Sequence, residues 1–94
     1  MKVVFDWENR KGYVLEVSYR PNDKGIYVVE IIKHNELEMR DEFRNKFAVR
    51  FLFRSLIDAP WKLFDILEEA KSYADNILIE NGYKILPNHM KALL

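Results

Sequence analysis

Apolar and polar residues alternate along the first half of the chain with a period of two, which is typical of β-strands with one buried face. Two segments rich in turn-forming residues, NRKG (9–12) and PNDKG (21–25), interrupt the alternation. A third apolar segment and a phenylalanine-rich one follow. The pattern predicts four strands joined as an antiparallel meander, over residues 2–8, 13–20, 26–33 and 45–54.

The same alternation predicts which side chains share a face of this sheet. The core-facing set is expected to contain Val3, Phe5, Trp7, Leu15, Val17, Tyr19, Phe47, Val49, Phe51 and Phe53. The opposite, outer face is expected to carry Val4, Val14, Glu16, Ser18, Arg20, Ile26, Val28, Glu30, Ile32, Ala48, Arg50 and Leu52.

Beyond residue 58 the apolar residues recur at steps of three and four, which predicts an amphipathic helix. Asp58 is a suitable N-cap, Pro60 is tolerated in a first turn, and Gly82 suits the C-terminal end. The helix is expected over residues 59–81, with a short edge strand at 83–86. Its predicted apolar stripe consists of Leu63, Ile66, Leu67, Ala70, Tyr73, Ala74, Ile77 and Leu78.

These elements predict a single α+β domain over residues 1–94, because the helix stripe is the large apolar surface available to cover the sheet. The expected architecture is a four-stranded antiparallel meander with one long C-terminal α-helix packed on one face. The connection 34–45 is longer than a usual hairpin loop. We expect an extended arm followed by a turn there, with a helical turn as the alternative.

The charge balance restricts the choice of partner. Fifteen basic residues match fifteen acidic ones, so overall charge does not favour nucleic acid or an anionic membrane. Residues 40–54 nevertheless hold five basic and two acidic residues, whereas 55–81 hold two basic and six acidic ones. The absence of cysteine excludes disulfides and thiolate chemistry. No apolar run approaches the ~20 residues of a membrane span, and a cytoplasmic location is expected.

Residues suited to catalysis are few. None of the three serines lies in a nucleophile motif, and phosphate-binding glycine motifs are absent from the sequence. His34, Glu36 and Glu38 would share one face of a strand and are the candidate ligands of a metal-dependent enzyme, the alternative to a non-catalytic protein. Their setting favours a charged surface segment, so we predict no catalytic residue, metal or cofactor.

The basic residues of strand 45–54 provide a second alternative. Lys46, Arg50 and Arg54 lie on one face and are suited to contact phosphates in a nucleic-acid-binding domain. The phenylalanines of the same strand fall on the opposite face, toward the core. That arrangement counts against base stacking on this sheet.

The outer face carries more aliphatic residues than a solvated sheet face normally does. An apolar strip bordered by charged residues is typical of an interaction surface. We therefore predict a small regulatory or protein-binding module that acts through this face and the 34–45 connection, with an acidic protein surface or a second copy as partner. Covering of the face by residues 83–86 or the tail is the alternative. The predicted partner-binding residues are Val14, Val28, Ile32, Lys46, Arg50, Leu52 and Arg54.

Overall fold

The structure, a computed structural model, describes residues 2–12, 15–53 and 61–93. The described chain forms β1 (Lys2–Val4), β2 (Glu8–Lys11), β3 (Leu15–Pro21), β4 (Tyr27–His34), β5 (Phe47–Phe51), β6 (Lys62–Phe64), α1 (Leu67–Glu80), β7 (Tyr83–Ile85) and a 3₁₀ segment (Asn88–Leu93). Strands β2 to β6 form one antiparallel sheet in chain order, and α1 packs on one side of it. The predicted α+β class is confirmed.

The predicted first strand, residues 2–8, is divided between two sheets. Strand β1 pairs in parallel with β7, whereas β2 begins at Glu8 and forms a hairpin with β3. Between them, the amide of Phe5 donates to the carbonyl oxygen of Pro21 at 2.9 Å. The consecutive residues Val3 and Val4 are both buried, together with Phe5, so both faces of β1 are covered. The placement of Val4 on the outer face was therefore wrong.

The two faces of β3 are exchanged relative to the prediction. The register sets Ser18 opposite Ile31 and Arg20 opposite Val29, and both of these β4 residues belong to the core. Directly opposite residues of an antiparallel pair share a face, so Ser18 and Arg20 lie on the helix side. Arg20 is held there by Asp75 of α1, 3.0 Å away. Leu15, Val17 and Tyr19 consequently lie on the outer face.

The helix begins later than expected. Residues 62–64 form β6, which pairs with β5 and sets Phe64 opposite Phe47. Sheet pairing therefore overrides the helical periodicity before Leu67, and Ile66 is exposed rather than part of the apolar stripe. The predicted C-terminal end is confirmed, since Gly82 has a φ of 85° just beyond the helix. Asp58 and Pro60 lie outside the described residues.

Three small or aliphatic side chains make the inner surface of α1 fit closely on the sheet. Ala70, Ala74 and Leu78 are fully buried at intervals of four residues. They meet a core that also contains Val29, Ile31, Val49 and Phe51. The prediction that Phe47, Val49 and Phe51 of β5 face the core is thus confirmed.

The connection after β4 is compact and not an extended arm. The strand ends at His34, and successive turns follow, with backbone bonds from Glu38 to Asn35, from Phe43 to Arg40 and from Lys46 to Phe43. Side-chain bonds to the backbone favour such turns over a strand, as when Asn35 Oδ1 accepts from the amide of Leu37 at 2.8 Å.

The segment 83–86 does not cover the outer face. Tyr83 and Ile85 of β7 pack against the core on the helix side, and Tyr83 lies 5.6 Å from the ring of Phe53. Within the described chain, no helix is long and apolar enough to cross a membrane.

Candidate functional site

The side of the five-stranded sheet opposite α1 is the outer face, and strand register defines its rows. Val17 lies opposite Ile32, Ile32 opposite Ala48, and Ala48 opposite Leu63. These four residues form a continuous line across β3, β4, β5 and β6, which we name the aliphatic row. Its neighbour on the edge strand β2 is Arg10. Val17, Ile32 and Leu63 are half-buried, and Ala48 is fully buried.

A row of charged and aromatic side chains runs beside the aliphatic row. Register places Glu8 opposite Tyr19, Tyr19 opposite Glu30, and Glu30 opposite Arg50. Arg50 Nη1 lies 3.5 Å from Glu30 Oε1, and its guanidinium lies 5.6 Å from the ring of Trp61. The outer face therefore combines aliphatic area with charges of both signs.

On the other side of the aliphatic row, the end of β4 joins the 34–45 connection. His34 is buried, and its ring lies 5.4 Å from Phe43 and 6.5 Å from Trp61. Its Nδ1 lies 3.0 Å from Glu38 Oε2. The other ring nitrogen, Nε2, is buried without a hydrogen-bond partner in the described part of the chain.

Glu38 connects this histidine to two arginines. Its Oε1 accepts from Arg40 Nε at 2.9 Å and from the Arg40 amide at 3.1 Å, while its carbonyl oxygen accepts from Arg44 Nε at 2.9 Å. The side-chain and backbone hydrogen bonds from Arg40 lower the pKa of Glu38 to about 2, with a smaller contribution from His34. The carboxylate is therefore ionised at neutral pH and holds the connection in its turns.

Glu38→Gln is expected to change the acid stability of the protein. The pKa of Glu38 falls from 4.5 to about 2 in the folded state, so its contribution to folding is present above pH 4.5 and is lost as the pH falls toward 2. Thermal melts of both proteins between pH 7 and 2 should show the wild type as the more stable at neutral pH, with the difference closing below pH 4.5. Glu36→Gln, an exposed residue of the same connection, is the matched control. A difference that persists unchanged to pH 2 would contradict the assignment.

A cavity of about 320 Å³ opens beside this network. Leu15 of β3 and Leu37 of the connection form its apolar walls. Its polar lining comes from His34, Asn35, Glu38 and Arg40. Leu15 is 38% exposed and Leu37 67%, and the neighbouring Met39 is 89% exposed. Large apolar side chains are thus presented to solvent at the end of the sheet.

Two of the three predicted basic residues of the outer face form ion pairs within the molecule. Lys46 forms an ion pair with Asp65, and Arg50 is paired with Glu30. The predictions of an acidic partner and of a nucleic-acid surface relied on these two basic groups together with Arg54. Arg54, the third basic residue, lies outside the described residues.

The remaining predicted partner-binding residues differ in exposure. Ile32 lies at the centre of the aliphatic row and is half-buried, as is Leu52, whose amide donates to the Val28 carbonyl oxygen at 2.8 Å. Val28 is only 4% exposed, so it supports the sheet and offers little contact area. Val14 lies outside the described residues.

The candidate metal ligands come together only in part. His34 and Glu38 are hydrogen-bonded to each other, and Glu36 is exposed. Among the described residues there is no group of three histidine, aspartate or glutamate side chains placed to hold a metal ion.

Sequence reasoning missed Val17, Tyr19, Leu63 and Trp61 as components of the outer face. The first two were placed in the core by their strand period, and Leu63 was placed on the helix. One signal pointed the other way: strand 26–33 is apolar on both faces, so its outer side needs apolar neighbours on β3 and β5. Val17 and Ala48 are those neighbours.

No protein-family model, curated protein or solved structure matches this chain. No relative therefore assigns a role to the outer face, and its chemistry follows from its own side chains.

Proposed function

We propose that this chain is a non-catalytic protein-binding module that acts through its outer face and the 34–45 connection. The aliphatic row supports this proposal, because an antiparallel sheet with one solvated face normally carries polar residues there. Val17, Ile32 and Leu63 keep part of their surface in water. A partner that covered them would remove this apolar surface from water, which favours binding through the hydrophobic effect.

The charges around the row suit a protein contact. Glu30 lies opposite Arg50, and Glu8 and Arg10 lie on the same face of β2, so these four described residues place two charges of each sign around the row. Such a surface neither repels a copy of itself nor attracts a polyanion strongly. A second copy related by a two-fold axis is one fitting partner, since Glu30 of one protomer is able to meet Arg50 of the other.

The His34–Glu38 pair supports a structural role better than a catalytic one. A carboxylate that orients an imidazole is a recurring part of hydrolytic sites, but the imidazole must then reach a nucleophile or substrate with its other nitrogen. Here that nitrogen is enclosed near Phe43 and Trp61. A serine nucleophile would have to lie within reach of this nitrogen. The hydroxyl of Ser18 donates to Asn9 Oδ1, at 2.8 Å.

Val17→Arg is expected to abolish binding without unfolding the protein, because it introduces a charge at a half-buried position of the aliphatic row. Sedimentation velocity over a concentration series measures self-association, and affinity capture from the native cell measures other partners. Ile79→Arg, at an exposed apolar position of α1, is the matched control. The wild type and Ile79→Arg should show the same dimer or captured protein, and Val17→Arg should lose it by at least about tenfold.

Circular dichroism melts establish that both variants are folded. A wild-type protein that remains monomeric and whose captured proteins are equally retained by Val17→Arg would contradict the proposal.

A further inference from the structure

We infer that the cavity at the end of the sheet, lined by Leu15, Leu37 and Arg40, binds a segment of a protein partner through an uncharged aliphatic side chain and a neighbouring backbone carbonyl. This inference rests on the proposed protein-binding function and specifies part of the partner's chemistry. It concerns a place distinct from the aliphatic row, although Leu15 belongs to the same face of β3 as Val17.

Arg40 provides oriented hydrogen-bond donors at this cavity. Its Nε is fixed on Glu38 Oε1 at 2.9 Å, and its guanidinium carbon lies 4.2 Å from the centre of the Phe43 ring. These two contacts position the guanidinium group. Its two terminal nitrogens have no hydrogen-bond partner among the residues that the structure describes, although Arg40 lines the cavity. They are therefore available to donate hydrogen bonds to an oxygen of a ligand.

The walls of the cavity are suited to an aliphatic side chain. Leu15 and Leu37 approach it from two different segments of the chain, and both keep apolar surface exposed to solvent. A volume of about 320 Å³ lies at the lower end of the range typical of ligand pockets, roughly 300–1,000 Å³. It fits one or two side chains of a peptide better than a large cofactor.

The charges favour a neutral oxygen acceptor over an anion. The charged carboxylate and guanidinium that line the cavity, Glu38 and Arg40, are already paired with each other. A ligand carboxylate would gain the attraction of Arg40 but would also meet the repulsion of the Glu38 carboxylate that lines the same cavity. A backbone carbonyl accepts from the arginine without that repulsion, which is the reason for assigning a peptide and not a fatty or other aliphatic acid.

The test uses three capped amino acids as probes, titrated into the isotope-labelled full chain and followed by NMR. N-acetyl-leucine N′-methylamide carries the aliphatic side chain and neutral carbonyls. N-acetyl-leucine replaces one carbonyl with a carboxylate, and N-acetyl-glycine N′-methylamide lacks the side chain. The neutral leucine probe should shift the methyl signals of Leu15 and Leu37 and the Nε–H signal of Arg40. It should bind at least about fivefold more tightly than either of the other probes.

Arg40→Gln should weaken the neutral leucine probe by about fivefold, the loss of one hydrogen bond, while Lys84→Gln removes an exposed basic residue of β7, away from the outer face, and should leave it unchanged. Tighter binding of the carboxylate probe would overturn the inference in favour of an anion site. Equal binding of the glycine probe, or no shift at these three residues up to the solubility limit, would also overturn it.

These outcomes are separate from the test of the proposed function. If Val17→Arg loses association and none of the probes binds, only the cavity inference is contradicted. If the neutral leucine probe binds and Val17→Arg associates as the wild type does, only the outer-face proposal is contradicted.

Discussion

Arg20→Ala is expected to lower the free energy of unfolding by about 3 kcal/mol, because it removes one partner of a buried ion pair. Arg20 is 4% exposed, and its Nε donates to Asp75 Oδ1 at 3.0 Å. Its Nη1 donates to the carbonyl oxygen of Phe5, and its guanidinium lies 4.8 Å from the centre of the Trp7 ring. Alanine would leave the carboxylate and the carbonyl without these donors.

The pKa shifts of the pair explain why one-sided removal is the damaging change. Burial raises the pKa of Asp75 above its usual value and lowers the pKa of Arg20, although each group is stabilised in its charged form by the other. Because the folded pKa of Asp75 is raised, this group favours folding at low pH and loses that contribution as the pH rises above its unfolded value of 3.8. At neutral pH the ions depend on each other, and the double variant Arg20→Met with Asp75→Leu should recover most of the loss.

Thermal and urea unfolding of the single and double variants measure this effect. For a domain of this size, a loss of 3 kcal/mol corresponds to a melting temperature lower by about 12–24 °C. The matched control is Arg50→Ala, since Arg50 is 41% exposed and 3.5 Å from its carboxylate partner, and its loss should stay below about 1 kcal/mol. Equal effects of Arg20→Ala and Arg50→Ala would contradict the expected difference.

Leu78→Ala is expected to destabilise the protein by a similar amount, about 3 kcal/mol within a range of 2–5, because it opens a cavity in the core. Leu78 is fully buried on the inner side of α1, where it belongs to the same cluster as Val29, Ile31 and Phe51. Alanine would leave the space of this side chain unfilled between the helix and the sheet.

The next residue of the helix provides a matched control. Ile79 is 58% exposed, so Ile79→Ala should change the free energy of unfolding by no more than about 0.5 kcal/mol. Urea unfolding at one temperature measures both variants. If Ile79→Ala were as damaging as Leu78→Ala, the inner face of α1 would be rotated from the one described.

The candidate site could be located from sequence only in outline. The excess of aliphatic residues on one face was visible in Ile32 and Ala48, because β4 and β5 keep the predicted phase. The residues that β3 contributes to this face could not be predicted, because alternation with a period of two defines two faces of a strand without indicating which one is buried. The apolar residues of β3 were assigned to the core on hydrophobicity alone. In the structure Arg20 lies on the helix side, where it contacts Asp75, 55 residues away in the chain, and the apolar residues lie on the outer face.

The same distinction holds for the connection between β4 and β5. The charges of this connection could be counted from the sequence. The pairing of Glu38 with Arg40 and His34 depends on turns, whereas the alternation of apolar and charged residues predicted an extended segment. The cavity also needs Leu15, which is more than 20 residues from Leu37 and reaches it only through the pairing of β3 with β4.

By itself, the sequence determined the α+β class, the core-facing phase of β4 and β5, the inner face of α1 from Ala70 to Leu78 and its end before Gly82. These features follow from local periodicity and backbone preference, which act over a few residues. Only the tertiary structure decided that β1 pairs with β7, that residues 62–64 form a strand, and that β3 turns its apolar side outward. Each of these depends on a partner distant in sequence, and the free energy of that contact exceeds the local preference that it overrides.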